Sequence, residues 1–178
     1  MKGIPWEVDC INFSDAYVAG FFDGDGSLVA ILEKQSSKYS RTYRPRIRVN
    51  FTQHIRHKNM LEDLKIYLGA GEVRLVSSHD LAELVIQDRQ DIRKILERMF
   101  PHLVLKRKQA IIALEVLDLL GDNIRTNRIS DENYSEILKK ISEIRSLNSK
   151  TGGKRKIHQF DPVTTFRLNE RVAETLKD

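Results

Sequence analysis

The sequence predicts an α+β fold: a four-stranded antiparallel sheet with helices on one face and further helices towards the C-terminus. Three observations carry this. Four short runs, 27–35, 44–51, 72–76 and 81–87, alternate side chains with a period of two. They come in two pairs, separated and flanked by segments with helical spacing of apolar residues, which gives the order α, β, β, α, β, β, α. The chain of 178 residues, 40% hydrophobic and 31% charged, is long enough for one domain with a real core and too apolar to be disordered.

Ser14 is a suitable N-cap and Asp15 suits a first turn, so a helix is expected from there to about Asp23. Gly24 and Gly26 would permit its exit. In the first strand Leu28, Ala30 and Leu32 oppose Val29, Ile31, Glu33 and Gln35, and the polar stretch 36–42 reads as a turn. In the second strand Arg44, Arg46, Arg48 and Asn50 alternate with Pro45, Ile47, Val49 and Phe51, giving one basic and one apolar face. Residues 56–68 form the next helix, with Leu61, Leu64 and Leu68 buried and Gly69 as its stop. Glu72, Arg74 and Val76 oppose Val73 and Leu75 in the third strand, and Leu81, Glu83, Val85 and Gln87 oppose Ala82, Leu84 and Ile86 in the fourth. Helices over 88–99, 106–120 and 131–147 follow, the last capped by Ser130. Residues 1–147 thus make the core, and 148–178 a basic linker and terminal helix of the same domain.

The formal net charge is only +5, yet Lys34, Lys38, Arg41, Arg44, Arg46, Arg48, Arg56 and Lys58 occur in one stretch without a single acid. Such a local excess points to a polyanion, and arginines two residues apart on a strand can enter a DNA major groove. The single Cys10 excludes an internal disulfide and a cysteine-rich zinc module. No apolar run reaches membrane-spanning length, and 1–10 lacks the apolar core of a signal peptide. The expected setting is intracellular, in an organelle or a prokaryotic cytoplasm, with no membrane partner and no small-molecule cofactor.

The chemistry centres on Val18-Ala19-Gly20-Phe21-Phe22-Asp23-Gly24-Asp25-Gly26. Asp23 and Asp25 fall at the end of a helix, where unpaired carbonyls are already partly negative; carboxylate plus carbonyl suits a hard cation. Neither glycine works as the sixth position of an EF-hand, because Phe21, Leu32 or Ala19 then stands where an acid is needed. Thr151-Gly152-Gly153-Lys154 is not a P-loop, since Asn148 and Arg155 occupy the places of a glycine and a hydroxyl residue. His54 and His57 lack further ligands for zinc.

The nonapeptide resembles the signature of the LAGLIDADG homing endonucleases, and its single copy resembles the family's single-motif branch. The resemblance implies an αββαββα homing-endonuclease fold, whose saddle-like sheet sits over DNA. It implies Mg²⁺ held by Asp25 and the Gly24 carbonyl, with Ca²⁺ binding without supporting cleavage and Mn²⁺ as a substitute. Asp23 falls at the motif's other acidic position, either capping and supporting or ligating directly. Gln53 matches the glutamine that positions water, and Lys106, in Leu105-Lys106-Arg107-Lys108-Gln109, matches the active-site lysine. His57 stands near a basic position of the family, but departs from the commoner arginine or lysine.

The DNA contacts expected are Gln35, Lys38, Arg41, Arg44, Arg46, Arg48, Asn50, His57, Arg74 and Lys108. Lys154 and Arg155 belong to a segment that is either a phosphate-contacting arm or an inert linker. Ile31 and Glu33 occupy places where polar readers are common in the family. One motif supplies one set of acids, whereas a double-strand break needs two cuts, so a homodimer is expected. Its interface is assigned to Val18, Ala19, Gly20, Phe22 and Asp23. The implied activity is site-specific cleavage of double-stranded DNA at a long pseudo-palindromic site, leaving short 3′ overhangs in intron homing. A nucleic-acid-binding descendant that no longer cuts, such as an RNA maturase or a regulator, is the alternative.

Overall fold

A computed structural model describes residues 12–39, 41–76, 79–121 and 128–148. The first helix, α1 (Asp15–Asp25), starts where Ser14 Oγ accepts a hydrogen bond from the Tyr17 N–H at 3.2 Å. It runs two residues beyond the predicted end, so Gly24 is helical and Gly26 makes the exit. That exit is an ordinary extended conformation; the reason for glycine is space. A Cβ at Gly26 would lie 2.7 Å from both the backbone Cα and the carbonyl oxygen of Phe22.

Strand β1 (Gly26–Lys34) continues directly from the helix and pairs with β2 (Tyr43–His54) from Gly26 opposite Phe51 to Lys34 opposite Tyr43. A short 3₁₀ turn leads to α2 (Lys58–Leu68), which Gly69 stops at φ 69°. β3 (Glu72–Val76) and β4 (Leu81–Ile86) complete the sheet in the spatial order β1-β2-β4-β3, with every neighbouring pair antiparallel. Then come α3 (Arg89–Met99), capped by the Asp88 carboxylate, α4 (Arg107–Leu120) and α5 (Asp131–Leu147), capped by Ser130. The predicted order is therefore observed. No helix among the described residues is long and apolar enough to cross a membrane.

One face of the sheet carries the core. Leu28, Ala30, Ile47, Val49, Phe51, Ala82, Leu84 and Ile86 are buried there with Phe22, Leu61, Leu64, Ile92, Ile95 and Leu96 from the helices. The alternating partners in β1 and β2, including Arg44, Arg46, Arg48 and Asn50, occupy the other face, as a period of two requires. Two polar clusters fix the helices. Asp15 accepts hydrogen bonds from Arg98 (Nη2, 2.7 Å) and from the Tyr67 hydroxyl (2.9 Å), joining α1 to α3 and α2. The Arg98 bond holds the Asp15 carboxyl below its ordinary pKa, against the opposing effect of burial. Asn148, placed by the sequence at the start of a linker, joins α4 to β1 by accepting from Gln109 (2.9 Å) and donating to the Leu28 carbonyl (3.2 Å). The rest of the predicted linker and its terminal helix lie outside the described residues.

The junction at Gly26 gives a direct test. Gly26→Ala should destabilise the chain by roughly 1–3 kcal/mol, the usual cost of overpacking, measured as a lower denaturant midpoint at unchanged slope. Unchanged stability would show that α1 and β1 can separate without cost.

Candidate nuclease site and DNA-facing surface

Register brings the first two functional groups together. With Gly26 opposite Phe51, Gln53 lies beyond the start of β1 and beside the end of α1. Its Nε2 donates to Asp25 Oδ2 at 2.9 Å. Asp25 itself is exposed, and its Oδ1 has no protein partner among the described residues.

The third group arrives through Asp23. Its carboxylate accepts three consecutive backbone N–H groups, from Val104 (2.7 Å), Leu105 (3.1 Å) and Lys106 (2.9 Å). This clamps the turn before α4 onto the end of α1, and the Lys106 ammonium donates to the Asp23 carbonyl at 2.6 Å. Burial alone would raise the Asp23 pKa, but the three backbone bonds outweigh it and hold the carboxyl below its ordinary value. Lys106 moves down too: burial disfavours its charge, and the opposing attraction of Asp23 and Asp25 is smaller. Its ammonium also lies 5.7 Å from the centre of the Phe22 ring. Asp23 is thus a structural clamp whose two carboxylate oxygens are taken up by its own chain.

Val18, Ala19 and Phe22, assigned with Asp23 to a subunit interface, are each fully buried in the core of their own chain. A helix turns about 100° per residue, so Ala19 and Gly20 cannot share a face. Gly20 is exposed, as are Ala16, Tyr17 and Gly24 one turn away on either side. A Cβ on Gly20 or Gly24 would meet nothing within 4 Å. The free stripe of α1 is therefore Ala16, Tyr17, Gly20 and Gly24, and helical periodicity applied to the motif would have found it.

On the outer face of the sheet, Arg44 is exposed and Arg48 and Asn50 are half-buried. Arg48 Nε and Asn50 Oδ1 are covered by neighbouring side chains yet lack hydrogen-bond partners. Arg46 Nε lies 2.7 Å from Glu33 Oε2, an ion pair whose N–H is not aligned for a hydrogen bond. Arg74, on β3, pairs with Glu72 at 2.6 Å, with Glu83 opposite it in register. The basic charge is therefore concentrated on the β1–β2 half.

The other assigned contacts divide. Lys38 is exposed in the β1–β2 turn, while Gln35 Nε2 closes that turn by donating to the Arg41 carbonyl at 3.2 Å. Arg41 belongs to the packing: its guanidinium bonds to the Ile129 carbonyl and to Asp131 (2.9 Å) and stacks 4.1 Å over the Tyr134 ring, so it is not free to bind phosphate. Lys108 is answered by Glu143 of α5 at 3.1 Å. His57 Nε2 accepts from Arg56 Nε (3.1 Å) and His54 Nδ1 from the Arg56 N–H (3.2 Å). Lys154 and Arg155 lie outside the described residues.

A metal can be tested against the donor set. Mg²⁺ favours one or two carboxylates supplemented by water and substrate phosphate. Asp25 Oδ1 and the Gly24 carbonyl, at a helix end where carbonyls lack intrahelical partners, fit that pattern. No group of three or more acidic, histidine or cysteine side chains that could hold a metal occurs among the described residues, so water, substrate or a second chain would complete the shell.

The model of the LAGLIDADG endonuclease family matches residues 18–113, more than half of the chain. The chain is 29% identical over 136 residues to the DNA endonuclease I-CreI of Chlamydomonas reinhardtii, covering 76% of this chain and 79% of that protein. It is 27% identical over 158 residues to the DNA endonuclease I-CvuI of Chlorella vulgaris, covering 75% and 97%. The solved structure of I-CvuI with its DNA target and Ca superposes with a TM-score of 0.75 at 24% identity, covering 89% of this chain and 94% of that one. The archaeal intron-encoded I-Vdi141I on DNA gives 0.72 at 17% identity, with 88% and 94% covered. With the motif at the end of α1 and the αββαββα order both in place, the chain belongs to the LAGLIDADG endonuclease family.

Proposed function

We propose that the chain is a homodimeric, Mg²⁺-dependent, site-specific DNA endonuclease acting in intron homing. The observation that carries this reading is the convergence of Asp25, Gln53 and Lys106, far apart in sequence, at one end of α1 beside a strand face of arginines. A surface that only bound nucleic acid would not need a carboxylate, an amide and a partly buried ammonium gathered at its edge.

Hydrolysis requires water to attack phosphorus as the bond to the 3′ oxygen breaks. When bound, Mg²⁺ supplies Lewis-acid activation of that water and neutralises charge on the phosphate. Asp25 Oδ1 and the Gly24 carbonyl would hold it. Gln53 fixes Asp25 through Oδ2, and its own carbonyl remains able to accept a proton-bearing water. The Lys106 ammonium places a positive charge where the transition state gains negative charge, and its partial burial strengthens that effect. Asp23 acts through Lys106, by holding its backbone.

Two strands need two such centres, which a two-fold dimer provides. Ala16, Gly20 and Gly24, the small residues of the exposed stripe on α1, allow two copies of the helix to approach closely and bring both Asp25 side chains together. The two basic strand faces then lie along one duplex, in keeping with a long pseudo-palindromic site cut to short 3′ overhangs.

Plasmid cleavage with Mg²⁺ against EDTA, on a plasmid bearing the insertion site, tests the function. Asp25→Asn should abolish cleavage while binding persists in a gel-shift assay; wild-type rates would remove Asp25 from the chemistry. Asp23→Ala should cost roughly 1–3 kcal/mol by leaving N–H groups unpaired. Because the folded pKa of Asp23 is lowered, its stabilisation is full above the unfolded value of about 3.9 and fades as pH falls through the folded one. The stability gap between wild type and Asp23→Ala should thus be flat at neutral pH and shrink below about pH 4. A gap that widened on acidification would contradict the clamp. Gly20→Leu should leave the chain folded, since nothing lies within 4 Å of that position, yet sediment as a monomer. Dimer dissociation should rise at least about tenfold, or ~1.4 kcal/mol; an unaltered dimer would place the interface elsewhere.

A further inference from the structure

Glu33 is an acid on a face otherwise built for a polyanion. It is paired in register with Arg44, but its carboxylate meets Arg46, whose own register partner is Ile31. Arg46 therefore reaches outward along the sheet to put Nε 2.7 Å from Glu33 Oε2. The side chains are 31% and 44% exposed, and a pair so open to solvent adds little to stability. An unfavourable acid beside phosphates, in return for little stability, calls for a role in the bound state.

The geometry supplies one. Arg46 Nε touches Glu33 Oε2 without an aligned N–H, and the two terminal nitrogens of Arg46 and Glu33 Oε1 make no hydrogen bond among the described residues. On the outer face of adjacent strands they supply two donors and one acceptor. In the major groove a G·C pair presents the reverse: two acceptors, guanine N7 and O6, followed by the cytosine N4 donor. An A·T pair instead sets the adenine N6 donor against the second guanidinium nitrogen, and the thymine O4 acceptor against the carboxylate. We propose that Arg46 and Glu33 act as one unit reading a single G·C base pair in each half-site. This deepens, and rests on, the endonuclease reading above.

The position of that pair within the half-site follows from the sheet. Rows of outward residues are about 6.6 Å apart along a strand, near two base-pair steps, so Arg48 and Val29, one row closer to Asp25, face bases about two pairs nearer the scissile bonds.

The test uses the full-length protein with Ca²⁺ and a pool of randomised duplexes. Selection by wild type, Glu33→Ala and Arg46→Ala is compared column by column. Both variants should relax the same G·C column, by roughly tenfold, and leave the remaining columns intact. N4-methylcytosine at that column should weaken wild type by a similar factor and leave Glu33→Ala unaffected. If Glu33 merely steadied Arg46, wild type would tolerate the methyl group, and that result overturns the inference, as does relaxation of different columns by the two variants. A wild-type protein that enriches no sequence at all would overturn the endonuclease reading, and this inference with it.

Discussion

The Asp23 carboxylate is the joint on which the site depends. Three N–H groups at the start of α4 would otherwise need other partners, and one short side chain at the end of α1 accepts all three. The bond set crosses more than eighty residues of sequence. Through it the position of Lys106 is set by the same helical turn that carries Asp25, so the two charges of the site cannot drift independently. Gly26 completes the joint from the other side: with no Cβ it lets β1 leave against the Phe22 backbone, and the register that follows delivers Gln53 to Asp25.

This construction separates holding from reacting. Asp15, Arg98 and Tyr67 fix the start of α1 and Asp23 fixes its end, while Asp25 on the same helix keeps one carboxylate oxygen without a partner among the described residues. A similar division runs across the sheet. Arg41 is spent on the packing of α5 and Arg74 on Glu72, whereas Arg48 and Asn50 keep covered polar atoms without partners. Polar groups that are shielded yet unpaired are costly in isolation.

Much of the fold was legible because each segment obeyed one periodicity throughout. The alternation at Arg44 to Phe51 could only be a two-faced strand, and Gly69, Asp88 and Ser130 marked helix ends by their own chemistry. The site residues Asp25, Gln53 and Lys106 came from family resemblance, and their mutual geometry depends on sheet register and on the Asp23 clamp, neither visible in local sequence. The interface assignment took no account of angular position on the helix. Val18, Ala19 and Phe22 were grouped with Gly20 by adjacency in the motif, when their angular positions on the helix send them into the core. The acids that pair with Arg41 and Lys108, Asp131 and Glu143, are distant in sequence, so these ion pairs were not legible there. Glu33 is opposite Arg44 in register, and only the side-chain geometry shows its ion pair with Arg46, diagonal to it across β1 and β2.

The central claim is that two copies of α1 meet over a duplex and present Asp25 to the bonds that break. A crystal structure of the protein on its DNA target with a divalent cation tests it most directly. The account predicts two chains joined along Tyr17, Gly20 and Gly24, with each Asp25 oxygen coordinating a cation, at ~2.0–2.1 Å if Mg²⁺, that also touches the scissile phosphate. Asp25 remote from both DNA strands, or chains joined through any other surface, would contradict it.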